Sequence, residues 1–295
     1  MSRNKIKVAI LGSGNIGTDL LIKVMRSSSL ICSLFIGRDF NSNGMQVAKK
    51  MGAQVSDQSI DAIVQNPDCC DLVFDATSAR DHLRHWPILK EMGKMVIDMT
   101  PSKIGTTVVP AVDFDKALTA QNVNMVTCGG QASIPLAHLI ARSHDEPIEY
   151  IEVVTSIASK SAGPATRINL DEYIETTEAA IRTYSGCKNA KVIIILNPAE
   201  PCIDMQTSVS AKITKPELAK LNSLMGGLLE RIHSYVPGYE LIVPPIYETN
   251  RIFMMVRVRG LGDYLPPYAG NLDIINCAAV AVAEKYVQHR IKSFR

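Results

Sequence analysis

Several kinds of segment are missing from the 295-residue chain. No apolar run approaches the ~18 residues that suggest a membrane-spanning helix. The N-terminal stretch "MSRNKIKVAILGSGNIG" has neither the apolar centre nor the cleavage site of a signal peptide. The chain has 31 lysine and arginine residues and 29 acidic residues. The net charge of +2 is too small to favour binding to a nucleic acid or a membrane surface. We therefore expect a globular protein that binds neither.

The seven cysteines form no pattern that frames disulfides or binds a metal. They lie at positions 32, 69, 70, 128, 187, 202 and 277, without a C-x-x-C pair and without histidines at ligand-like spacing. His82 and His85 share a helix face in "ARDHLRHW", which we interpret as solvated because no third ligand is evident. Scattered free thiols are typical of a reducing compartment. The sequence predicts a cytoplasmic protein without a bound metal.

The order of predicted elements indicates two parts with different folds. In the first, short apolar strands alternate with amphipathic helices, which is typical of a parallel sheet covered on both faces. After the cysteine at 128, longer strands rich in β-branched residues are separated by fewer helices, which indicates an α+β layer with a mostly antiparallel sheet. The strands predicted there are "IEYIEVVTSIAS", "AKVIIILNP", "YELIVPPIYE" and "RIFMMVRVRG". The last segment, "NLDIINCAAVAVAEKYVQHRIKSF", predicts a long helix.

The stretch "GSGNIG" places Gly12, Gly14 and Gly17 in a G-x-G-x-x-G arrangement between a predicted strand and a predicted helix. The first glycine permits a tight turn, the second lets the backbone approach a pyrophosphate, and the third allows close packing of helix and strand. The N-terminus of the helix offers unpaired N–H groups and its positive dipole end to phosphates. The sequence therefore predicts a dinucleotide site.

The end of the second strand does not decide between NAD and NADP. Asp39 could accept hydrogen bonds from the ribose hydroxyls, whereas Arg38 could pair with a 2′-phosphate. Both side chains could equally be solvated in a loop. We predict NAD and leave NADP open.

Cys128 is the cysteine with the features of a nucleophile. In "VNMVTCGGQASIP" it follows a predicted parallel strand, at the edge where open α/β sheets build their sites, and Gly129 and Gly130 leave room for a ligand. We expect a helix to start near Ser133, as its cap, with Pro135 in the first turn. A helix N-terminus lowers the pKa of a thiol. On these features alone, a small buried residue at a strand end stays open as the other interpretation.

Seven stretches, in order along nearly the whole chain, resemble the acylating acetaldehyde dehydrogenases that partner 4-hydroxy-2-oxovalerate aldolases. They are "VAILGSGNIGTDL", "VFDATSA", "NVNMVTCGGQASIP", "SIASKSAGPATR", "LNPAEP", "YVPGY" and "YLPPYAGNLDI". This chain would be a divergent member of that family. The resemblance implies a Rossmann-type doubly wound domain over residues 1–130. It implies a substrate and dimerisation domain over 131–270, and a C-terminal helix, 271–295, that packs back on the first domain.

The same resemblance implies roles for individual residues. Cys128 would carry an acyl thioester, and backbone N–H groups near Gly129 and Gly130 would stabilise the oxyanion of the hemiacetal. The residues expected to bind the cofactor are Gly12, Ser13, Gly14, Asn15, Ile16, Gly17, Arg38, Asp39, Ser161, Ala162, Gly163, Pro164 and Asn271. The implied reaction is oxidation of a short-chain aldehyde by NAD, with coenzyme A taking the acyl group. The implied assembly is a homodimer associated with an aldolase that supplies the aldehyde.

One departure from the family's pattern concerns the activation of the thiol. The family follows "NPAEP" with an aspartate near the cysteine, and Thr207 stands at that position here. Asp204 lies three residues earlier, which in a strand points to the opposite face. Asp204, Thr207 and Gln131 are therefore the candidates for activating or supporting Cys128.

Several alternatives stay open as a result. They are a larger or aromatic aldehyde, release of a free acid, and a non-catalytic subunit that stabilises an aldolase. A reductase of acyl phosphates would need a histidine after the cysteine and a phosphate-binding arginine, for which His138 and Arg167 are the candidates.

Overall fold

The computed structural model describes residues 5–293; residues 1–4 and 294–295, which belong to the predicted first and last segments, lie outside the described residues. The first part contains the strands β1 (Ile6–Leu11), β2 (Leu30–Ile36), β3 (Val55–Ser56), β4 (Leu72–Asp75), β5 (Met95–Asp98), β6 (Thr106–Thr107) and β7 (Asn122–Asn124). They form one sheet in the order β3-β2-β1-β4-β5-β7-β6, with every neighbouring pair parallel. The prediction of a parallel sheet is confirmed.

Helices cover both faces of this sheet. They are α1 (Asn15–Arg26), α2 (Asn43–Lys50), α3 (Asp61–Val64), α4 (Ala79–Glu91), α5 (Pro110–Asp113) and α6 (Lys116–Thr119). Along β1, Val8 and Ile10 join the core that contains Leu20 of α1, whereas Ala9 and Leu11 join a core on the opposite face. Successive side chains of a strand point to opposite faces, so a strand buried on both sides is apolar at every position.

The second part is built on a five-stranded sheet. Its strands are β8 (Tyr150–Ala158), β9 (Ala190–Asn197), β10 (Met205–Lys212), β11 (Tyr239–Glu248) and β12 (Arg251–Val258). The order is β11-β12-β10-β8-β9, and only the β8–β9 pair is parallel. The mostly antiparallel sheet is therefore confirmed. Four of these strands were predicted; β10, the central strand, was not among them.

The remaining helices are α7 (Cys128–Ser143), α8 (Pro164–Ile168), α9 (Leu170–Ser185), α10 (Leu218–His233) and α11 (Gly270–Ser293). Apolar residues of α7, α9 and α10 share a core with Ile151 and Val153 of β8, so these helices lie on one face of the second sheet. Among the described helices, none combines the length and the apolar character needed to cross a membrane.

Helix α11 packs against the first sheet's helix α1. Its residues Ile275, Ala278 and Val282 belong to the same core as Val8, and Asn276 Nδ2 donates to Ile16 O at 3.1 Å. These contacts agree with a C-terminal helix that returns to the first part. The division of the chain at residues 130 and 270 stays a prediction.

A buried lysine fixes the start of α11. The Lys23 ammonium lies 3.0 Å from a carboxylate oxygen of Asp19, 2.8 Å from Asp263 and 2.8 Å from Asp273. Burial lowers the pKa of Lys23, but the charges of these carboxylates raise that pKa by more, so the net pKa lies above the ordinary lysine value. Lys23 stays charged and ties α1 to the segment that enters α11.

Candidate active site

The carboxyl ends of the central parallel strands meet the second part of the chain at a cleft. Its empty volume is about 810 Å³, part of which is open solvent. Eight of the predicted site residues line this cleft, namely Gly14, Asn15, Ile16, Cys128, Ser161, Gly163, Pro164 and Asn271. The loops after β1, β4, β5 and β7 all reach it, as expected for the edge at which open α/β sheets bind ligands.

The glycine-rich loop leaves room for phosphate at one position and requires glycine for packing at the other two. Gly12 has φ +118°, and a Cβ there would lie 2.5 Å from Ala76 O. A Cβ on Gly17 would lie 1.8 Å from Gly12 O. A Cβ on Gly14, by contrast, would meet nothing within 4 Å, and no side chain caps the N-terminus of α1. The first-turn N–H groups of α1 are thus open to an anionic group, which fits the pyrophosphate of a dinucleotide.

Two asparagines, Asn15 and Asn271, add side chains to the cleft lining. Asn15 Nδ2 donates to Ser161 O at 3.5 Å, which links α1 to the second part of the chain. The Asn271 side chain is buried, and its Oδ1 has no hydrogen-bond partner among the described residues. An unpaired buried acceptor in a cleft wall costs free energy unless a ligand supplies a donor. Asn271 therefore fits a group such as a carboxamide or a hydroxyl of a bound dinucleotide.

Other predicted cofactor residues lie outside the cleft lining. Ser13 Oγ lies 3.3 Å from Ser42 Oγ, and Ala162 is buried with its N–H donated to Ser159 O. Arg38 and Asp39 are exposed, and Asp39 Oδ1 accepts from Asn41 N at 2.8 Å. The choice between NAD and NADP stays a prediction.

Cys128 occupies the first position of α7. Thr127 is the N-cap, and its Oγ1 accepts a hydrogen bond from Gly130 N at 2.9 Å. The prediction that the helix starts with Ser133 as its cap is wrong, because Ser133 and Pro135 lie buried inside α7. Thr127 caps the helix six residues earlier than expected, and the glycines that follow tolerate the helical backbone. The thiol is thus in the first turn rather than ahead of the helix.

Tyr173 is the residue that sequence reasoning missed. Its Oη accepts a hydrogen bond from Gly129 N at 2.9 Å and lies 3.7 Å from Cys128 Sγ. Because the oxygen accepts from Gly129, its own proton can be donated to the sulfur. The N–H groups of Gly129 and Gly130, predicted to stabilise the oxyanion, are both engaged with protein oxygens. No local signal marks Tyr173, which lies in the first turn of α9, six residues after the arginine of "SAGPATR".

Burial governs the ionisation of the nucleophile. Burial raises the pKa of the Cys128 thiol above its ordinary value, although hydrogen bonds from Tyr173 and from the backbone act in the opposite direction. The prediction that the helix N-terminus yields a lowered thiol pKa is therefore wrong. Desolvation disfavours the thiolate by more than the hydrogen-bond donors favour it.

The three candidates for activating the thiol do not line the cleft. Gln131 Nε2 donates to Val108 O at 3.0 Å and to Met125 O at 2.9 Å. Thr207 Oγ1 is fully buried and lies 3.1 Å from Thr155 Oγ1. A Cβ on Gly129 would lie 2.8 Å from that Thr155 oxygen, so Thr207 reaches the nucleophile loop only through Thr155. Asp204 precedes β10, and its charge acts on Arg257.

The four remaining candidates also lie elsewhere. His138 Nδ1 lies 2.8 Å from Tyr184 O, and Arg167 Nη2 donates to Ser159 O at 2.8 Å, so neither faces the cleft as an acyl phosphate reductase requires.

The prediction of a solvated face for His82 and His85 is wrong: their exposed fractions are 0% and 6%, because both hydrogen-bond to the buried Asp75. Among the described residues, no group of three or more His, Cys, Asp or Glu side chains could hold a metal ion.

Comparisons with known proteins agree with this plan. Residues 7–113 match the family described as semialdehyde dehydrogenase, NAD binding domain, and residues 128–266 match the one described as prokaryotic acetaldehyde dehydrogenase, dimerisation. The chain is 58% identical to an acetaldehyde dehydrogenase of Spirochaeta aurantia, over 98% of this chain and 97% of the relative. It is 48% identical to one of Geobacillus stearothermophilus, over 98% of each chain.

A solved structure supports the fold independently. Aspartate semialdehyde dehydrogenase II from Vibrio cholerae, complexed with ASA, aligns with a TM-score of 0.59 over 97% of this chain and 99% of that chain, at 15% identity. At this identity the likeness concerns the fold alone, and it confirms the α/β class with a second α+β part.

Together, the comparisons and the site give three conclusions. The match over residues 7–113 supports NAD(P) binding. The match over residues 128–266 supports a homodimer. The near full-length relatives make the protein an oxidoreductase of the aldehyde dehydrogenase type. The resemblance that the motifs indicated is confirmed, and the chain belongs to the acetaldehyde dehydrogenase family.

Proposed function

We propose that the protein oxidises a short-chain aldehyde to its acyl-coenzyme A ester, with NAD as the hydride acceptor and Cys128 as the nucleophile. The observation that carries the proposal is the shared cleft: Cys128 in the first turn of α7 and the open N-terminus of α1 at Gly14 line the same space. A thiol and a phosphate-binding helix end that face one ligand are what a thioester-forming dehydrogenase needs.

The first step is addition of the thiol to the aldehyde. The Cys128 sulfur forms a bond with the carbonyl carbon, its proton leaves to solvent through the open cleft, and the carbonyl oxygen becomes an oxyanion that is then protonated. Because the N–H groups of Gly129 and Gly130 are engaged, the Tyr173 hydroxyl is the donor in reach of both the sulfur and the new oxyanion. Tyr173 thus stabilises negative charge first on sulfur and then on oxygen.

The second step converts the hemiacetal into a thioester. Bound NAD supplies the acceptor for the hydride that leaves the former aldehyde carbon. The proton of the hemiacetal hydroxyl is released to solvent through the open cleft, and the acyl group stays on the Cys128 sulfur. The thiol of coenzyme A loses its proton to solvent and attacks the acyl carbon. The bond to Cys128 breaks, and the departing Cys128 thiolate takes up a proton to restore the thiol.

The apolar part of the cleft lining supports a small apolar substrate. Met99, Val126, Leu272 and Ile275 contribute apolar side chains to the cleft. A short aliphatic aldehyde would bury its chain against them without leaving a polar group unpaired. In this proposal a 4-hydroxy-2-oxovalerate-type aldolase supplies the aldehyde in the cytoplasm, an inference that rests on the family resemblance.

A single assay tests the proposed function. NADH formation is followed by absorbance with acetaldehyde, propanal and benzaldehyde, each with and without coenzyme A, and with NADP in place of NAD. We expect turnover with the aliphatic aldehydes that requires coenzyme A and yields the acyl ester. Free acid formed without coenzyme A would contradict the acylating reaction, and no turnover with any aldehyde would favour an accessory subunit of an aldolase.

The role of Tyr173 gives a separate prediction. In Tyr173→Phe, the thiolate loses a donor that lowers the Cys128 pKa, so that pKa rises further and the acid limb of kcat/KM moves to higher pH. At neutral pH we expect the alkylation rate of Cys128 by iodoacetamide to fall about threefold to tenfold, as for the loss of a hydrogen bond of about 1 kcal/mol. Initial rates of NADH formation across a pH series measure the shift of kcat/KM, and alkylation time courses across the same series measure the reactivity of the thiol.

Thr207→Val is the matched comparison for Tyr173→Phe. It removes the hydroxyl at the position where the family has a carboxylate, and it leaves the contact between Tyr173 and Cys128 unchanged. We expect its alkylation profile to follow the wild type. A larger shift in Thr207→Val than in Tyr173→Phe would assign activation of the thiol to the Thr207–Thr155 pair instead.

The open face of the second sheet is the surface proposed for the homodimer. Cross-strand partners on this face form a row across all five strands, made of Ile193, Val154, Ser208, Met255 and Val243. Ile193 and the neighbouring Ile195 are 39% and 43% exposed in the single chain. A second copy would bury this apolar row, and the row lies within the residues that match the dimerisation family.

Charged residues on this face are expected to separate the protomers. Ile193→Asp combined with Ile195→Asp would bury two unpaired carboxylates in each protomer of a dimer, so sedimentation should show a monomer at micromolar concentration. Leu224→Asp on α10 is the control, since Leu224 has a similar exposed fraction of 42% on a helix at the other face. A double variant that remains dimeric would place the interface elsewhere.

A further inference from the structure

A cluster of two carboxylates and two histidines is buried behind the cleft. Asp75, at the end of β4, places Oδ2 2.9 Å from His82 Nδ1 and 2.9 Å from His85 Nδ1. On its other side, His82 Nε2 lies 3.5 Å from Asp98 Oδ2 and 3.1 Å from Asn122 Nδ2. Asp75, His82 and Asp98 are fully buried. The proposed reaction uses none of these groups.

Each carboxylate holds the loop that follows its own strand. Asp75 Oδ1 accepts from Thr77 N at 3.2 Å and from Thr77 Oγ1 at 2.5 Å. Asp98 Oδ1 accepts from Thr100 N at 2.8 Å. Thr77 and Thr100 both line the cleft, so the two carboxylates set the backbone of its wall.

The cluster also reaches the nucleophile loop. Asp98 Oδ2 accepts from Asn124 Nδ2 at 2.6 Å, and Asn124 Oδ1 accepts from Val126 N at 2.9 Å. Val126 has φ +62°, a left-handed backbone that a β-branched residue rarely adopts. It lies two residues before Cys128. The hydrogen bonds that run from Asp98 therefore help to hold a strained residue beside the nucleophile.

We propose that His82 is a positioning residue that, in its protonated form, bridges Asp75 and Asp98 and so holds the strand-end loops in the arrangement that binds the dinucleotide. This inference rests on the proposed place of the dinucleotide in the cleft. His82 is the only described side chain whose two ends approach both carboxylates, and the loops that those carboxylates hold follow adjacent strands and line the same cleft.

The bridge needs both protons of the imidazole. The imidazolium donates from Nδ1 to Asp75 and offers Nε2–H to Asp98, whereas a neutral ring that keeps Nδ1–H turns a lone pair towards Asp98. Asn122 Oδ1 is buried without a partner among the described residues, and a half-turn of its amide would present that oxygen to Nε2–H. Loss of the Nε2 proton therefore breaks the link between the β4 and β5 loops.

The charges around His82 set the pH at which the bridge between Asp75 and Asp98 is lost. The titratable groups that face it are Asp75 from β4, Asp98 from β5 and His85 from its own helix, while Asn122 from β7 carries no charge. Burial lowers the pKa of His82, but the Asp75 hydrogen bond and the charge of Asp98 raise that pKa by more, so it lies above the ordinary histidine value. Burial raises the pKa of Asp98 to about 6, against the opposing effect of His82. The bridge is complete between these two ionisations and is lost on the alkaline side.

Dinucleotide affinity as a function of pH tests the inference. The dissociation constant of NADH is measured by fluorescence from about pH 6 to pH 9 in the Cys128→Ala background, which removes titration of the thiol. We expect the constant to increase about threefold to tenfold on the alkaline side, which is about 0.7 to 1.4 kcal/mol of binding free energy. In the same background, His82→Gln should bind NADH weakly at every pH and show no alkaline increase.

Two further variants separate the bridge from a merely structural role. His85→Gln should keep the alkaline increase, because His85 contacts Asp75 alone. Asp98→Asn should move the increase to lower pH, because the carboxylate that raises the His82 pKa is gone, and it serves as the test if His82→Gln fails to fold. A constant that does not change with pH, or an increase that persists unchanged in His82→Gln and Asp98→Asn, overturns the inference. Absence of NADH binding at every pH would instead overturn the proposed function.

Discussion

Replacement of Cys128 by alanine is expected to abolish aldehyde oxidation while leaving the dinucleotide bound. The sulfur forms the bond to the carbonyl carbon in the proposed reaction, and no other group in the first turn of α7 can take that role. We expect turnover to fall by roughly 10⁴-fold or more, as when a nucleophile of a concerted set is removed. NADH formation reports the loss, and titration of NADH fluorescence reports that the cleft is intact.

A second cysteine variant controls for general effects of removing a thiol. Cys202→Ala changes a partly buried cysteine that does not line the cleft, so its kcat/KM should equal that of the wild type. Wild-type turnover in Cys128→Ala would contradict the thioester mechanism. Loss of both turnover and NADH binding in Cys128→Ala would indicate a disturbed cleft rather than a missing nucleophile, and the mechanism would then have to be tested through trapping of the acyl thioester.

Gly14→Val is expected to fold like the wild type but to bind NADH about tenfold to a hundredfold more weakly, a loss of roughly 1.4 to 2.7 kcal/mol. The new side chain meets no protein atom within 4 Å of its Cβ, and φ of −76° suits any residue. It does occupy the space at the uncapped N-terminus of α1 where the phosphates would approach. Fluorescence titration measures the affinity, and thermal unfolding measures the fold.

Two further glycine variants are the controls for Gly14→Val. Gly12→Val should unfold at a much lower temperature, since its Cβ would lie 2.5 Å from Ala76 O in a left-handed backbone. Gly226→Ala, in α10 and with open space around it, should leave NADH affinity unchanged. Equal NADH affinity in Gly14→Val and the wild type would move the pyrophosphate away from this loop.

The cofactor loop could be predicted because its requirements are local. Gly12, Gly14 and Gly17 lie in six consecutive residues. A Cβ on Gly12 or Gly17 would meet a backbone oxygen, whereas Gly14 leaves open the space at the N-terminus of α1. The parallel sheet was predictable for a similar reason, since strands buried on both faces are apolar throughout. The central strand β10 was not predicted because every second residue is polar. Gln206, Ser208 and Ser210 face the open side of the sheet and interrupt the apolar pattern.

The parts of the site that could not be predicted depend on contacts between distant residues. Tyr173 reaches Cys128 across 45 positions of the chain, and nothing in the local pattern of α9 marks it. His82 and His85 look solvated from their spacing, because the residue that buries them, Asp75, belongs to another element. The thiol pKa was misjudged since the helix N-terminus is visible in the sequence, whereas the burial that opposes it is a property of the fold.

The last helix has a consequence for synthesis on the ribosome. Ile275, Ala278, Ala283 and Val287 of α11 belong to the same core as the strands and helices of the first part. A nascent chain that has emerged only as far as β7 therefore exposes the apolar surface that α11 later covers. That surface stays open until Gly270–Ser293 has been made, and exposed apolar surface of this kind invites aggregation or capture by chaperones. Truncation within α11 should therefore reduce the soluble yield, because it leaves apolar surface of the first part of the chain exposed, although that part is distant in sequence from the residues removed.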